Sequence, residues 1–308
     1  MTETISVVIC GHNMPRELPR TIRSLSPAMQ KQVEGLSYEL IVVDNGSTPP
    51  LPLDECAAWG ADVRLIQIAP ASASPSPVGG LNLGIEAARG DLIGAMIDGA
   101  RLASPGLIAA AAQAAKSADR AVILTPGFHL GPSLQMHSIP RGYDQDEEDR
   151  LLAGSGWTED GYRLFDLSVF SGSSRRGWFS PMSESNAIFM RRTLWTELGG
   201  FDERFQAPGG GLANLDLLAR AVKLPGAVVI TLLGEGTFHQ VHGGVSTNSN
   251  GDIHPLFWAE YEAIRGAPFQ APSYRSRYLG SSRRPAAMSG SRLRAATAVR
   301  RWFTKLRS

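Results

Sequence analysis

The side chains that could do chemistry sit where apolar runs end. In AMIDGARLASPGLI (Ala95–Ile108) such a run delivers a single carboxylate, Asp98, to a turn, and strands that end in an acid often carry it into a site. Farther along, GEGTFHQVHGG crowds Glu235, His239 and His242 into one loop after the last apolar run. Glu184 in SESN, Asp202 and Glu203 in GGFDE, and Asp216 in ANLDLLAR are carboxylates beside predicted elements. A carboxylate can take the proton of an attacking hydroxyl, and oxygen with imidazole ligands suits Mn²⁺ better than Ca²⁺, with Mg²⁺ held partly through water. Structural readings stand beside these. Asp216 also suits the first turn of a helix, and Glu184 also suits bracing Arg191 and Arg192.

The elements that must position these groups alternate from the start. Strands are expected at Ile5–Cys10, Glu39–Asp44, Val63–Ala69, Asp91–Asp98 and Ala121–Pro126, with helices at Glu17–Leu25, Gly79–Gly90 and from Ser104-Pro105 through Lys116. SNAIFMRR and AVVITLL read as later strands, and TLWTELGG and LDLLARAVKL as helices. Short, continuous apolar strands alternating with helices predict an α/β fold with a mostly parallel sheet covered on both faces. The alternation breaks between Gly131 and Gly177, a polar stretch with the acidic run DQDEED and the aromatics Trp157, Tyr162, Phe165 and Phe170, which reads as a solvated insertion or a lid over an acceptor.

At 308 residues and 43% hydrophobic, the chain can bury a sizeable core. Its two cysteines, Cys10 and Cys56, are too few for a disulfide framework and fit a reduced, cytoplasmic setting. No signal peptide and no run of about 18 apolar residues is visible. The first strand leads into GHNMPREL rather than G-x-G-x-x-G, and no P-loop occurs, which argues against a dehydrogenase or a P-loop nucleotidase. The net charge of +1 hides an asymmetry: residues from Ala271 to Ser308 hold ten Lys/Arg and no acid, leaving 20 basic and 29 acidic residues in the rest.

Three stretches in this order resemble the family 2 glycosyltransferases of the GT-A, nucleotide-diphospho-sugar transferase fold: VVIC with ELIVVDNGST, then LNLGIEAARGDLIGAMID, then NAIFMRRTLWTELGGFDERF with LDLLAR. The resemblance covers roughly residues 5–245. It implies a glycosyltransferase, hexosyltransferase-like and inverting, that moves a sugar from a UDP- or dTDP-type donor to the hydroxyl of a glycan or lipid-linked acceptor in cell-envelope polysaccharide synthesis. Asp44, Asn45, Asn82 and Asp98 would then meet the nucleotide sugar, and Asp202 and Glu203 the acceptor. Asp216 is the first candidate for the base and Glu184 the second. A divalent metal, Mn²⁺ or Mg²⁺, would rest on Asp98, His242 and His239, with His242 preferred to His239. No nucleic acid is expected as a partner.

Three departures from that family set an alternative beside it. Ala100 replaces the second acid of the acid–x–acid metal motif, Leu81 stands where a cation would meet the diphosphate, and Asn214 occupies the position of the general base. An amide takes no proton at neutral pH. A catalytically inactive GT-A domain, binding nucleotide or glycan or serving as a membrane scaffold, is therefore the rival reading. The expected organisation is a transferase domain over 1–265, including the insertion at 131–177, and a basic tail over 266–308.

The tail generates its own prediction. In residues 290–308, Leu293, Ala296, Val299, Phe303 and Leu306 recur at helical spacing among Arg292, Arg300, Arg301, Lys305 and Arg307. An interfacial helix of this kind gains about 1 kcal/mol per basic residue near an anionic surface. The full chain should float with anionic liposomes and a chain without the tail should not; equal flotation of both removes a peripheral membrane location.

Overall fold

A computed structural model describes residues 4–51, 59–244 and 254–281. Both Cys56 and the amphipathic segment at 290–308 lie outside the described residues. The strands are β1 (Thr4–Gly11), β2 (Ser37–Asn45), β3 (Val63–Ile68), β4 (Leu92–Met96), β5 (Arg101–Ala103) and β6 (Ala121–Leu124). They continue with β7 (Gly127–Leu130), β8 (Ser168–Phe170), β9 (Ile188–Arg191), β10 (Val228–Leu233), β11 (Thr237–His239) and β12 (Arg277–Gly280). The helices are α1 (Glu17–Leu25), α2 (Val78–Ala87), α3 (Leu107–Ser117), α4 (Gln135–Ser138), α5 (Gln145–Ala153), α6 (Arg192–Leu198), α7 (Ala213–Ala221) and α8 (His254–Arg265).

Eight strands form the main sheet in the order β12-β10-β6-β9-β4-β1-β2-β3. All pair in parallel except β9, which runs antiparallel between β4 and β6. β1 and β4 are buried almost throughout, as their predominantly apolar sequences require of strands covered on both faces. Helices α1 and α3 pack into the core on one face, and α2, α6, α7 and α8 into the core on the other. The glycines of α2 let it lie close: a Cβ on Gly84 would run into the Val8 side chain, and one on Gly80 would meet Cys10 Sγ at 3.0 Å.

A second sheet, β5-β11-β7-β8, stands at the carboxyl ends of the main strands. It grows from residues that leave the main sheet just after β4, β6 and β10, so it extends the edge where an open α/β sheet binds ligands. Its strands of three or four residues gave no periodic signal in the sequence.

The stretch from 131 to 177 is structured and partly buried. Phe165 and Phe170 pack against Phe128, and Phe165 also against Phe238, with ring centroids 4.5–5.1 Å apart; Trp157 belongs to the same apolar cluster. The acidic run, expected as a solvated face, instead forms α5 and turns toward Arg16. That guanidinium donates to Asp149 at 2.6 Å and to Glu148 at 3.1 Å, pairs with Glu17 at 2.7 Å, and reaches the carbonyls of Gln145 and Val241. Beyond Gly266, within the span expected as a basic tail, the chain returns to the sheet as β12, parallel to β10. Its mostly exposed residues explain why hydropathy missed it.

Glu235 is the buried pin between the two layers. Its carboxylate accepts from Ser104 Oγ at 2.6 Å, from the Gly106 N–H at 3.0 Å and from Tyr162 Oη at 3.0 Å. Burial outweighs these bonds and raises its pKa from 4.5 to about 7. A raised carboxyl favours the folded state fully below pH 4.5 and loses that contribution as pH climbs through 7. Urea unfolding of the native chain relative to Glu235→Gln should show this loss, with a slope of up to about 1.4 kcal/mol per pH unit. Parallel pH profiles of the two proteins would show that Glu235 does not carry the shift.

Candidate functional site

Asp98 follows β4 at the carboxyl edge, and the next residues turn sharply into the second sheet. Its Oδ1 accepts from the Ala100 N–H at 2.8 Å, while Thr21 Oγ1 donates to the Gly99 carbonyl at 2.7 Å. This turn sends the Ala100 side chain into the apolar core, where it is fully buried. The adjacent residue, Arg101, comes to the site face instead, its Nε 3.7 Å from Asp98 Oδ2. In the antiparallel pairing of β5 with β11, Arg101 lies directly opposite His239.

Asp98 Oδ2, His239 Nε2 and His242 Nε2 form a triangle with edges of 2.9, 3.1 and 3.5 Å. Gln135, at the start of α4, sets the tautomer of His239. Its amide nitrogen donates to the His239 carbonyl, so its oxygen is left to accept from His239 Nδ1–H. Nε2 of a neutral His239 therefore carries a lone pair aimed at the other two donors. Burial, and next Arg101, depress the His239 pKa to about 4 and keep the ring neutral. Burial would lower His242, but Asp98 outweighs it and raises that imidazole; in turn His242, foremost among its neighbours, overcomes burial and holds Asp98 well below the usual carboxylate range.

Three electron-rich atoms at such distances need a cation among them, either a proton on His242 or a metal ion. Three donors on one face of an octahedron with bonds of about 2.1 Å have edges of about 3.0 Å, close to the triangle observed. Residue types and geometry both fit a divalent ion. His129 stands behind the cluster, its ring centroid 5.3 Å from that of His239 and its Nδ1 accepting from the Gln135 N–H.

The other expected site residues fall into separate places. Asp44 is buried, and its oxygens accept from the N–H groups of Ser47 at 2.9 Å and Leu51 at 3.2 Å. Asn45 donates to the Ser74 carbonyl at 2.8 Å, joining the end of β2 to the loop before α2. Asn82, expected to face a nucleotide, latches the GGFDE turn instead. Its amide accepts from the Phe201 N–H at 2.9 Å and donates to the Phe201 carbonyl and to Glu203. Asp202 pairs with Arg204 and Arg265, and Arg204 first among them holds its carboxyl well below the usual range.

The two carboxylates weighed as bases differ sharply. Asp216 is buried, with Arg265 Nε at 2.6 Å, Arg265 Nη2 at 2.7 Å and Arg220 Nε at 2.8 Å on its two oxygens. Such a carboxylate is committed to joining α7 and α8. Glu184 lies before antiparallel β9, on the same edge as the end of β4, and is only partly buried. Asn214, the amide in the expected base position, donates to Glu184 Oε2 and to Asn186 Oδ1, each at 3.1 Å. Sequence reasoning missed Arg101 and Gln135. The only available signal was a lone cation three residues after Asp98; Gln135 carried none.

A family model described as "Glycosyl transferase family 2" matches residues 6–171. No curated protein sequence matches significantly. Solved structures similar to the chain include S. aureus TarS 1-349 in complex with UDP, at 15% identity over 71% of this chain and 56% of that one, with a TM-score of 0.44. S. aureus TarS itself aligns at 14% identity over 88% of this chain and 41% of that one, TM-score 0.47. TarS 1-349 in complex with UDP-GlcNAc aligns at 15% identity, over 95% and 62%, TM-score 0.42. The matched region spans less than two thirds of each of these TarS chains.

If Asp216 is a structural carboxylate, Asp216→Asn should weaken folding. Removing one partner of a buried pair costs about 3–5 kcal/mol, and the partial exposure of both arginines reduces this to about 1–3 kcal/mol. Urea denaturation checks it; an unchanged midpoint with abolished turnover would return the base role to Asp216.

Proposed function

The chain belongs to glycosyl transferase family 2, and from that premise we propose that it transfers a sugar from a nucleoside-diphosphate donor, UDP- or dTDP-type, to an acceptor hydroxyl with inversion. The observation that carries this reading is the convergence of Asp98, His239 and His242 at the carboxyl edge of the parallel sheet. These three residues would hold a divalent ion, Mn²⁺ or Mg²⁺. When bound, the ion supplies positive charge opposite the diphosphate leaving group.

The chain's own residues do the rest. The loops after β1 and β2 form the donor side of the crevice: His12 Nδ1 donates to the Asn45 carbonyl at 2.8 Å, and the Asn13 N–H to Ser47 Oγ at 2.8 Å. Asp44 and Asn45 shape that wall for the nucleotide. On the acceptor side, Glu184 takes the proton of the attacking hydroxyl, and Asn214 orients it through Oε2. The base function is thus carried from the helix to the neighbouring loop, with an amide kept behind it. Asp202 and Glu203 stabilise the acceptor-side turn, which Asn82 and Arg265 tie to the body. The acceptor belongs to the glycan or lipid-linked class, and the segment over 131–177 covers that side of the site.

Calorimetry with UDP and Mn²⁺, and turnover of a panel of nucleotide sugars, test the proposal. Asp98→Ala and His242→Ala should lose metal-linked nucleotide binding and at least about a hundredfold in turnover. Glu184→Gln should lose about 10²–10⁴ in kcat while keeping donor affinity. Gln135→Leu should weaken Mn²⁺ binding about 10–100-fold. Metal and nucleotide binding alike in all variants, or turnover undiminished by EDTA, would defeat the metal assignment. Binding without turnover of any donor would favour the non-catalytic reading that Asn214 and Ala100 suggest.

A further inference from the structure

We propose that Arg101 is the protein's own cation for the diphosphate of the donor, taking over the positive charge that this site lacks at residue 81. The inference deepens the glycosyltransferase reading and rests on it for the identity of the ligand, not for the presence of an anion site.

Arg101 is only 9% exposed, and its Nε and Nη1 are buried without a hydrogen-bond partner among the described residues. A guanidinium stays charged at any working pH and carries five N–H donors. Burying such a group without partners costs several kcal/mol, so a fold keeps one only where something else offsets that cost. Its one ion-pair partner among the described residues, Asp98, is 3.7 Å away and already shared between two histidines. Arg101 is therefore not there to neutralise Asp98.

Its position is set by the fold. Ala100 turns into the core, and Arg101 emerges on the site face opposite His239, held by the β5–β11 pairing and by the Gln240 N–H donating to the Ala100 carbonyl at 2.9 Å. The charges make the consequence concrete. With neutral imidazoles, one carboxylate and one guanidinium sum to zero, and a divalent ion raises the cluster to +2. A site with two acids and the same ion would sum to zero. Replacing an acid with Ala100 and adding Arg101 thus converts a neutral metal site into one with charge left for a diphosphate. Leu81, fully buried in the core, contributes none. A planar fork suits phosphate oxygens, and one buried beside a metal cluster acts with little solvent screening.

The distinguishing consequence is anion binding that survives without metal. Binding of inorganic pyrophosphate and of UDP is measured by calorimetry in EDTA for the native chain, Arg101→Gln and Arg101→Lys, and Mn²⁺ binding alone by electron paramagnetic resonance. The native chain should bind both anions in EDTA. Arg101→Gln should weaken both about tenfold or more, as expected for losing charged hydrogen bonds, while binding Mn²⁺ at least as well as the native chain. Unchanged pyrophosphate binding in Arg101→Gln overturns the proposal, and so does a loss of Mn²⁺ affinity as large as the loss of anion affinity, because Arg101 would then only shape the pocket. Should Arg101→Gln fail to fold, Arg101→Lys decides: a point charge without the fork should bind pyrophosphate several-fold more weakly, and equal binding overturns the idea. A native chain that binds pyrophosphate but no nucleoside diphosphate, with or without Mn²⁺, overturns the glycosyltransferase reading and leaves Arg101 as an anion site.

Discussion

Everything at the crevice depends on holding Asp98, His239 and His242 together although their lone pairs repel. The cluster lies in a part of the protein where burial penalises the Asp98 charge and the His242 charge alike. Their mutual attraction leads the interactions that keep both ionised forms favourable, and a divalent ion would relieve the repulsion more completely than a proton. The backbone must supply the restraint. Asp98 is fixed by its bond to the Ala100 N–H, His239 by β11 and Gln135, and the loop after His239 by Glu148, which accepts from the Val241 N–H at 2.9 Å.

That last contact gives the acidic segment a purpose. Arg16, at the entry to α1, gathers Glu17, Glu148 and Asp149 and also accepts no freedom of its own, since it is bound to the Val241 carbonyl at 3.0 Å. Burial still dominates at Glu148 and raises it to about 7, against the pull of Arg16 and the Val241 N–H. The residue next to His242 is therefore clamped on both its N–H and its C=O by groups from α5 and from the β1–α1 loop. A stretch that looks like a surface insertion in sequence is, in physical terms, the outer support of the His242 imidazole.

How much of this was legible follows from the range of each signal. The runs ISVVIC and DLIGAMID showed their strands because burial on both faces demands continuous hydrophobicity, and the end of one placed Asp98 at a ligand-binding edge. The second sheet was invisible because three residues such as Arg101–Ala103 contain no period. Proximity of Asp98 to His239 came from resemblance, since 141 positions separate them in sequence. Asp216 read as a base because its partner Arg265 lies 49 positions downstream, and the DQDEED run read as solvated because Arg16 lies more than a hundred positions upstream. Ion pairs of this range leave no local pattern.

The departures from the family pattern also make sense as linked changes rather than separate losses. Residue 100 points into an apolar core between α1 and β5, so an acid there would be buried without a partner, at a cost that Ala100 avoids. With residue 100 turned inward, the alternation of a strand brings residue 101 to the site face, and there the chain carries a cation. On the acceptor side, Asn214 stands beside Glu184 and Asn186 in one hydrogen-bonded group, so an amide on the helix is paired with a carboxylate on the loop. An aspartate at 214 would face Glu184 at hydrogen-bond distance, and two carboxylates that close would not both ionise near neutral pH. Retaining one carboxylate and making the other an amide leaves a single acidic group, oriented by its neighbour, as the proposed base.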